Sequence, residues 1–252
     1  MISIKRIDSP AELTANVVSD LTAEFIANGT RVWAKSYIKR DLLTMSNNKC
    51  AYCEAKVDEE SKYMEVEHFH DKDTYPNEVV RWDNLLPSCK KCNGQKGTHD
   101  TYIEPIIDPT NTDPKEHIEF WRYRLRSNTD LGKMTISVLE LNNQDRHTKV
   151  RFRLGEEINR QLDSILALLV DYENGSNTTV IRRNRIIRKT KNLLRQGRRI
   201  EEYSSIVSTL IMNDSDLDHV FAKLKELNFW DEELDSLNAE ISTNSLNIYQ
   251  RN

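Results

Sequence analysis

Glycine and proline are both scarce, at 7 and 6 of 252 residues. That argues against a loop-rich all-β fold and in favour of helices. Long apolar runs are missing as well. No stretch reaches the roughly 20 residues needed to cross a bilayer. The opening MISIKRIDSP has no apolar segment of the kind that a secretory signal requires. A cytoplasmic protein without a membrane span is the expectation. There is no surplus of positive charge either, with 36 Lys and Arg against 40 Asp and Glu, a net charge of -4. Slight acidity does not exclude a nucleic-acid enzyme, because a local basic face matters more than the sum. Cysteine is limited to four, and these sit in two tight pairs. In a reducing compartment such pairs hold metal more often than they form disulfides. The chain is long enough for one large domain or two modest ones.

The first 48 residues read as helical. Ser9, Pro10 and Glu12 have the spacing of a capping box, with Leu13, Val17, Leu21 and Phe25 following at helical intervals and Asn28-Gly29 as a stop. Trp33, Tyr37, Ile38, Leu42 and Leu43 suggest a second helix. From Cys50 to Asp100 the pattern changes to short β-like stretches, turn formers and all the cysteines. Pro105, Pro109 and Pro114 punctuate a linker. Three segments are expected: a helical segment over 1–48, a compact core over 49–112 and a helical region over 113–252. In the last, Ile158, Leu162, Ile165, Leu166 and Leu169 form one apolar stripe between Glu156 and Tyr172, and 180–194 and 203–212 look similar. No internal repeat or low-complexity tract occurs.

Charge is unevenly placed. Arg182, Arg183, Arg185, Arg188, Lys189, Lys191, Arg195, Arg198 and Arg199 crowd into 181–200 without an acid, whereas acids dominate 214–240. Two readings stand side by side: a phosphate-binding face, or a solvated helix face paired with the acidic end of the chain or with another protein.

Cys50-Ala51-Tyr52-Cys53 and Cys89-Lys90-Lys91-Cys92 are both C-x-x-C. Two thiolates on a tight turn reach one metal ion at about 2.3 Å each, and two such turns complete a tetrahedron. A four-cysteine site is closed and therefore structural; it helps to fold a segment too small for a core of its own. One structural zinc is expected. The gap between the pairs is longer than a minimal zinc ribbon needs. It contains Glu65-Val66-Glu67-His68-Phe69-His70, alternating as on a strand, and Trp82-Asp83-Asn84-Leu85-Leu86. Asn93-Gly94-Gln95-Lys96-Gly97 follows the second pair.

Glu67-His68, then Asn84-Leu85, then Cys89-x-x-Cys92-Asn93-x-x-Lys96-Gly97 resembles the zinc-containing branch of the HNH endonucleases. Lys49 to Glu54, Val66 to Phe69, Tyr75-Pro76, Trp82 to Cys89 and Ile107-Asp108-Pro109 are similar to the PtuB group of that family, the HNH effectors of Septu anti-phage systems, with relatives beside some retrons. This finer likeness covers residues 45–110 well. The segment Thr135 to Asn142 also matches, and the rest matches only in helical character. The resemblance implies a mainly α protein with a small ββα-metal core carrying the zinc knuckle. It further implies cleavage of a DNA backbone, and control by a PtuA-like ATPase partner.

Residue chemistry agrees with those roles. His68 is the natural base, since an ordinary histidine is largely neutral at cellular pH. Glu67 and Asn93 offer hard oxygen ligands, which suit Mg²⁺ or Mn²⁺ rather than zinc. The resemblance makes them the holders of one catalytic ion. Strand neighbours point to opposite faces, so Glu67 and His68 address different sides of a scissile bond if the strand is twisted there. Asn84 is expected to hold the strand or orient the base, and Lys96 to contact phosphate or the nucleic-acid backbone. His70 lies on the same strand face as His68. A plain surface residue is the preferred reading, with an accessory phosphate ligand or substitute base as the alternative. Asp83 reads as a turn or capping acid, with help to the metal as the alternative, His99, His117, His147 and His219 as ordinary, and Trp121 and Trp230 as core aromatics. The chain departs from the commonest HNH pattern in three ways: Glu67 replaces aspartate, Asn93 replaces histidine, and a glycine pair before Asn84 is missing. Two other functions remain open, a zinc-stabilised nucleic-acid or protein adaptor and a stand-alone restriction-type nuclease. The retention of Glu67, His68, Asn84 and Asn93 speaks against a degenerate site.

Overall fold

The structure, a computed structural model, describes residues 1–57 and 63–250. The chain divides into two compact units. The first comprises Met1–Ile118 with Leu125–Asn142, and the second Glu119–Arg124 with Asn143–Asn252.

The first unit opens with α1 (Ala15–Asn28), whose N-cap is Thr14. Its hydroxyl accepts from the Val17 amide at 3.4 Å, so the expected Ser9 capping box is not the helix start. Pro10 instead turns the chain, with the Leu13 amide donating to its carbonyl at 2.8 Å. The predicted stop is observed: Gly29 takes the left-handed conformation and its amide donates back to Phe25. α2 (Ser36–Ser46) buries Ile38 and Leu42, and Trp33 precedes it rather than belonging to it. An antiparallel hairpin follows, β1 (Met64–His68) with β2 (Leu85–Cys89). Its register sets Met64 opposite Cys89, Glu67 opposite Leu86 and His68 opposite Leu85. α3 (Lys90–Lys96) leaves β2 directly, capped by the Cys89 sulfur, and ends at Gly97 with φ +52°. The ββα order is thus the order of the expected core.

Chain from far upstream and downstream locks this hairpin. The Arg6 guanidinium donates to the carbonyls of Trp82 (2.7 Å), Asp83 and Leu85 (both 3.1 Å) and to the Thr110 hydroxyl (3.0 Å). The Ile4 amide donates to Pro109 at 2.6 Å, and the Trp82 indole to Ile7 at 2.9 Å. These bonds tie the turn before β2 and the first residue of β2 to chain on either side. Downstream, β3 (Glu119–Trp121) lies in the second unit, β4 (Arg124–Arg126) carries the chain back, and α4 (Asp130–Val138) is capped by Thr129.

The second unit is a helical cluster: α5 (Lys149–Glu173), α6 (Val180–Arg195), α7 (Ser204–Met212), α8 (Ser215–Glu226) and α9 (Glu232–Asn244). The expected stripe is buried in it, Ile158, Leu162, Ile165 and Leu169 packing with Ile186, Leu193, Val220 and Leu234. Leu168 is buried as well, and Leu166 is only partly covered. A short β5 (Asn247–Ile248) pairs in parallel with β3. Among the described residues no helix is long and apolar enough to cross a membrane.

Candidate active site and metal centre

The two C-x-x-C turns meet. Cys50 and Cys53 lie on a turn closed by the Glu54 amide donating to Cys50, with Glu54 at φ +63°. Cys89 ends β2 and Cys92 opens α3, so the hairpin register itself carries the second pair to the first. The four ligand sulfurs lie within 4.8 Å of one another, and those of Cys53 and Cys89 are 3.9 Å apart. Four sulfurs at about 2.3 Å around one ion would be spaced by about 3.8 Å, so the donor set fits a tetrahedral zinc. The thiols act on one another: their mutual hydrogen bonds lower Cys89 and raise Cys53 and Cys92. Thiolates are the form in which cysteines bind a divalent ion.

At the far end of the hairpin, Glu67 and His68 take opposite faces of β1. The His68 ring is buried, 8% exposed, edge-on to Trp33 at 4.8 Å. Its Nε2 lies 2.9 Å from the Val79 carbonyl. A carbonyl only accepts, so Nε2 carries the hydrogen and Nδ1 keeps the lone pair. Burial pushes His68 down to about 4. The ring is therefore neutral at any cellular pH and holds a defined basic nitrogen.

Glu67 turns towards α3. Its Oε1 lies 2.9 Å from the Lys96 ammonium, and the Tyr52 hydroxyl donates to the same oxygen at 3.4 Å. Both charged side chains are almost wholly buried. Burial pushes the carboxyl up to about 7 even though Lys96 opposes the shift. Lys96 also donates to the His68 carbonyl at 2.8 Å. The ammonium expected on phosphate is thus committed inside the core, an arrangement fixed by the packing of α3 on β1. Asn93, one turn earlier on α3, donates from Nδ2 to Glu65 at 2.8 Å and is not hydrogen-bonded to Glu67. Its amide oxygen and the Glu67 carboxylate are oxygen donors suited to Mg²⁺ or Mn²⁺.

Asn84 staples the loop that follows β1. Its Oδ1 accepts from the His70 amide at 2.7 Å, and its Nδ2 donates to the carbonyls of His70 (3.0 Å) and Glu78 (3.1 Å). It holds the backbone that follows His68. His70 is half-buried rather than a plain surface residue, stacked flat on Tyr102 at 3.7 Å. The Thr101 hydroxyl gives its hydrogen to the Phe69 carbonyl (3.0 Å), so it accepts from His70 Nδ1 (2.7 Å). His70 accordingly keeps its lone pair on Nε2. Asp83 lies within a single turn, Trp82–Asn84.

Sequence reasoning missed Glu65, Tyr52, Trp33 and the Val79 carbonyl. Glu65 had a legible signal, since residues two apart on a strand share a face. The others come from remote segments and carried none.

The basic run lies on α6 and the turn that follows it, in the second unit, and divides into two halves. Lys191 pairs with Asp231 (2.6 Å) and Glu233 (2.8 Å), Arg195 with Glu233, and Arg198 with Glu240 (3.1 Å). Arg182 reaches back to Asp171 at 2.9 Å. Arg185 and Arg188 are exposed. Pairing with the acidic end of the chain thus accounts for the C-terminal half of the run.

Comparison with known proteins agrees with this geometry. Residues 50–99 match the HNH endonuclease family model. A Septu protein PtuB of Bacillus thuringiensis is 48% identical over 227 residues, covering 90% of this chain and 86% of the relative. A second Septu protein PtuB, of Bacillus mycoides strain KBAB4, is 28% identical over 178 residues, covering 55% and 60%. No solved structure matches the chain significantly. With the Glu67-His68 hairpin, the four-cysteine cluster and near full-length similarity together, the chain belongs to the PtuB family of Septu proteins and carries an HNH endonuclease domain.

Proposed function

We propose that this chain is a metal-dependent endonuclease that hydrolyses phosphodiester bonds of DNA, the cytoplasmic effector of a bacterial anti-phage system under the control of a PtuA-like ATPase. His68 carries the proposal. A buried imidazole, neutral at cellular pH and with Nε2–H fixed on the Val79 carbonyl, has one lone pair to offer, on Nδ1. A neutral imidazole with a fixed tautomer can take a proton at Nδ1, and the place of His68 within the matched HNH segment supports a general base there rather than a core histidine. Nδ1 takes the proton of the attacking water. Asn84 fixes the loop backbone after β1, and the zinc cluster fixes the other end of the hairpin. Glu67 and Asn93 are the residues to hold a Mg²⁺ or Mn²⁺ ion, whose chemistry is to stabilise charge at the leaving 3′ oxygen. The Septu relatives motivate the partner and the defence role.

The test is plasmid cleavage in Mg²⁺ or Mn²⁺ by wild type and His68→Ala, with and without the ATPase. A loss of at least about 100-fold is expected for His68→Ala, the ordinary weight of a general base. Equal nicking by both proteins overturns the mechanism. His70→Ala in parallel measures whether the Nε2 lone pair of His70 substitutes for His68.

A further inference from the structure

Lys96, expected on phosphate, lies inside the core instead. Its ammonium is 2.9 Å from Glu67 Oε1 and 2.8 Å from the His68 carbonyl, on side chains exposed by only 1% and 2%. An unpaired carboxylate in that setting would be costly to bury. Lys96 offsets part of that cost from within the chain. A divalent cation on the same carboxylate would lie within a few ångströms of a fixed ammonium in a medium of low dielectric. Like charges at that range repel strongly, so the ammonium competes with a cation for Glu67. Lys96 is also placed to yield. It is the last residue of α3, directly before Gly97, and its charge rides on a flexible four-carbon stem.

We propose that Lys96 is the resident counter-charge of Glu67, which a divalent cation displaces in order to bind, so that this ion pair sets the cation affinity of the nuclease site. The proposal rests on Glu67 being a ligand of the catalytic cation. It also reconciles the two places for Lys96: held on the carboxylate without the cation, and released to meet phosphate with it.

Two measurements on the zinc-loaded full chain test it. The first is amine footprinting of the wild type by reductive methylation, read by mass spectrometry, with and without Mn²⁺. Lys96 is expected to be protected without Mn²⁺ and labelled once Mn²⁺ saturates. Continued protection at saturation overturns displacement, and this arm needs no variant that must fold. The second is Mn²⁺ binding followed by electron paramagnetic resonance. Lys96→Met is expected to bind Mn²⁺ at least tenfold more tightly than wild type, and Lys96→Arg, which keeps the charge, no more tightly than wild type. Unchanged or weaker binding by Lys96→Met overturns the proposal. Glu67→Gln separates this failure from that of the underlying reading. If Glu67→Gln loses Mn²⁺ while Lys96→Met is unchanged, only displacement fails. If Glu67→Gln binds like wild type, Glu67 is not a ligand, and both the ligand assignment and the displacement fall.

Discussion

The two ends of the β1–β2 hairpin solve the problem of buried charge in opposite ways. At one end, four sulfurs are gathered within 4.8 Å with no opposite charge among them, a donor set that an ion could join. At the other, Glu67 has its counter-charge already, supplied by Lys96 from the same chain. The first end is arranged to take an ion, and the second is balanced from within the chain. Two paired five-residue strands thus carry two different arrangements of charged groups at their opposite ends.

The contrast can be broken most forcefully at the cysteines. Cys89→Ser removes one sulfur and the thiolate cap of α3. Structural zinc in small modules is worth about 10–16 kcal/mol, so the chain is expected to lose its single zinc and the first unit its cooperative unfolding. Elemental analysis and circular dichroism decide this, and a zinc-free wild type would refute the knuckle. Next in size is Glu67→Leu, which leaves the Lys96 ammonium buried alone. A loss of about 3–5 kcal/mol in denaturant unfolding is expected, with zinc content unchanged. Glu67→Leu/Lys96→Met should recover most of that loss, because no orphan charge remains. No recovery would mean that the two side chains do not act as a pair.

His68 sharpens the comparison through pH. Its folded value of about 4 lies below the ordinary 6.5, so between those limits the unfolded chain takes up a proton that the folded chain refuses. Stability from this group is complete above pH 6.5 and declines by about 3 kcal/mol as pH falls to 4. Histidine hydrogen–deuterium exchange should give a midpoint near 4 for His68, and a midpoint near 6.5 would contradict its burial. The smallest effect belongs to the exposed pairs of the second unit. Lys191→Ala breaks contacts to Asp231 and Glu233, yet such pairs are screened by solvent. The thermal midpoint is expected to stay nearly unchanged, and a large drop would show that α6 and α9 depend on charge rather than on Leu193 and Leu234.

What could be read in the sequence was what depends on spacing. The cysteine pairs, the β1 alternation and the stripe from Ile158 to Leu169 each repeat at an interval that fixes a face. Thr14 lost to Ser9 in the reading because both precede a helical pattern at capping distance, and only the turn at Pro10 separates them. The Glu67–Lys96 pair was out of reach for a different reason. The two residues are motif members with separate expected roles, and their contact follows from how α3 packs on β1. The tautomers of His68 and His70 depend on the Val79 carbonyl and the Thr101 hydroxyl, which no motif contains.

The clamp made by Arg6 has a consequence in time. It joins residues 76 to 104 positions apart, and closing loops of that length is an entropically expensive, late event in folding. On the ribosome, residues 82–85 cannot be fully tied down until Thr110 has emerged. A truncated or half-made chain therefore carries the motif without its completed frame, and the nuclease hairpin is finished only when both flanks are in place.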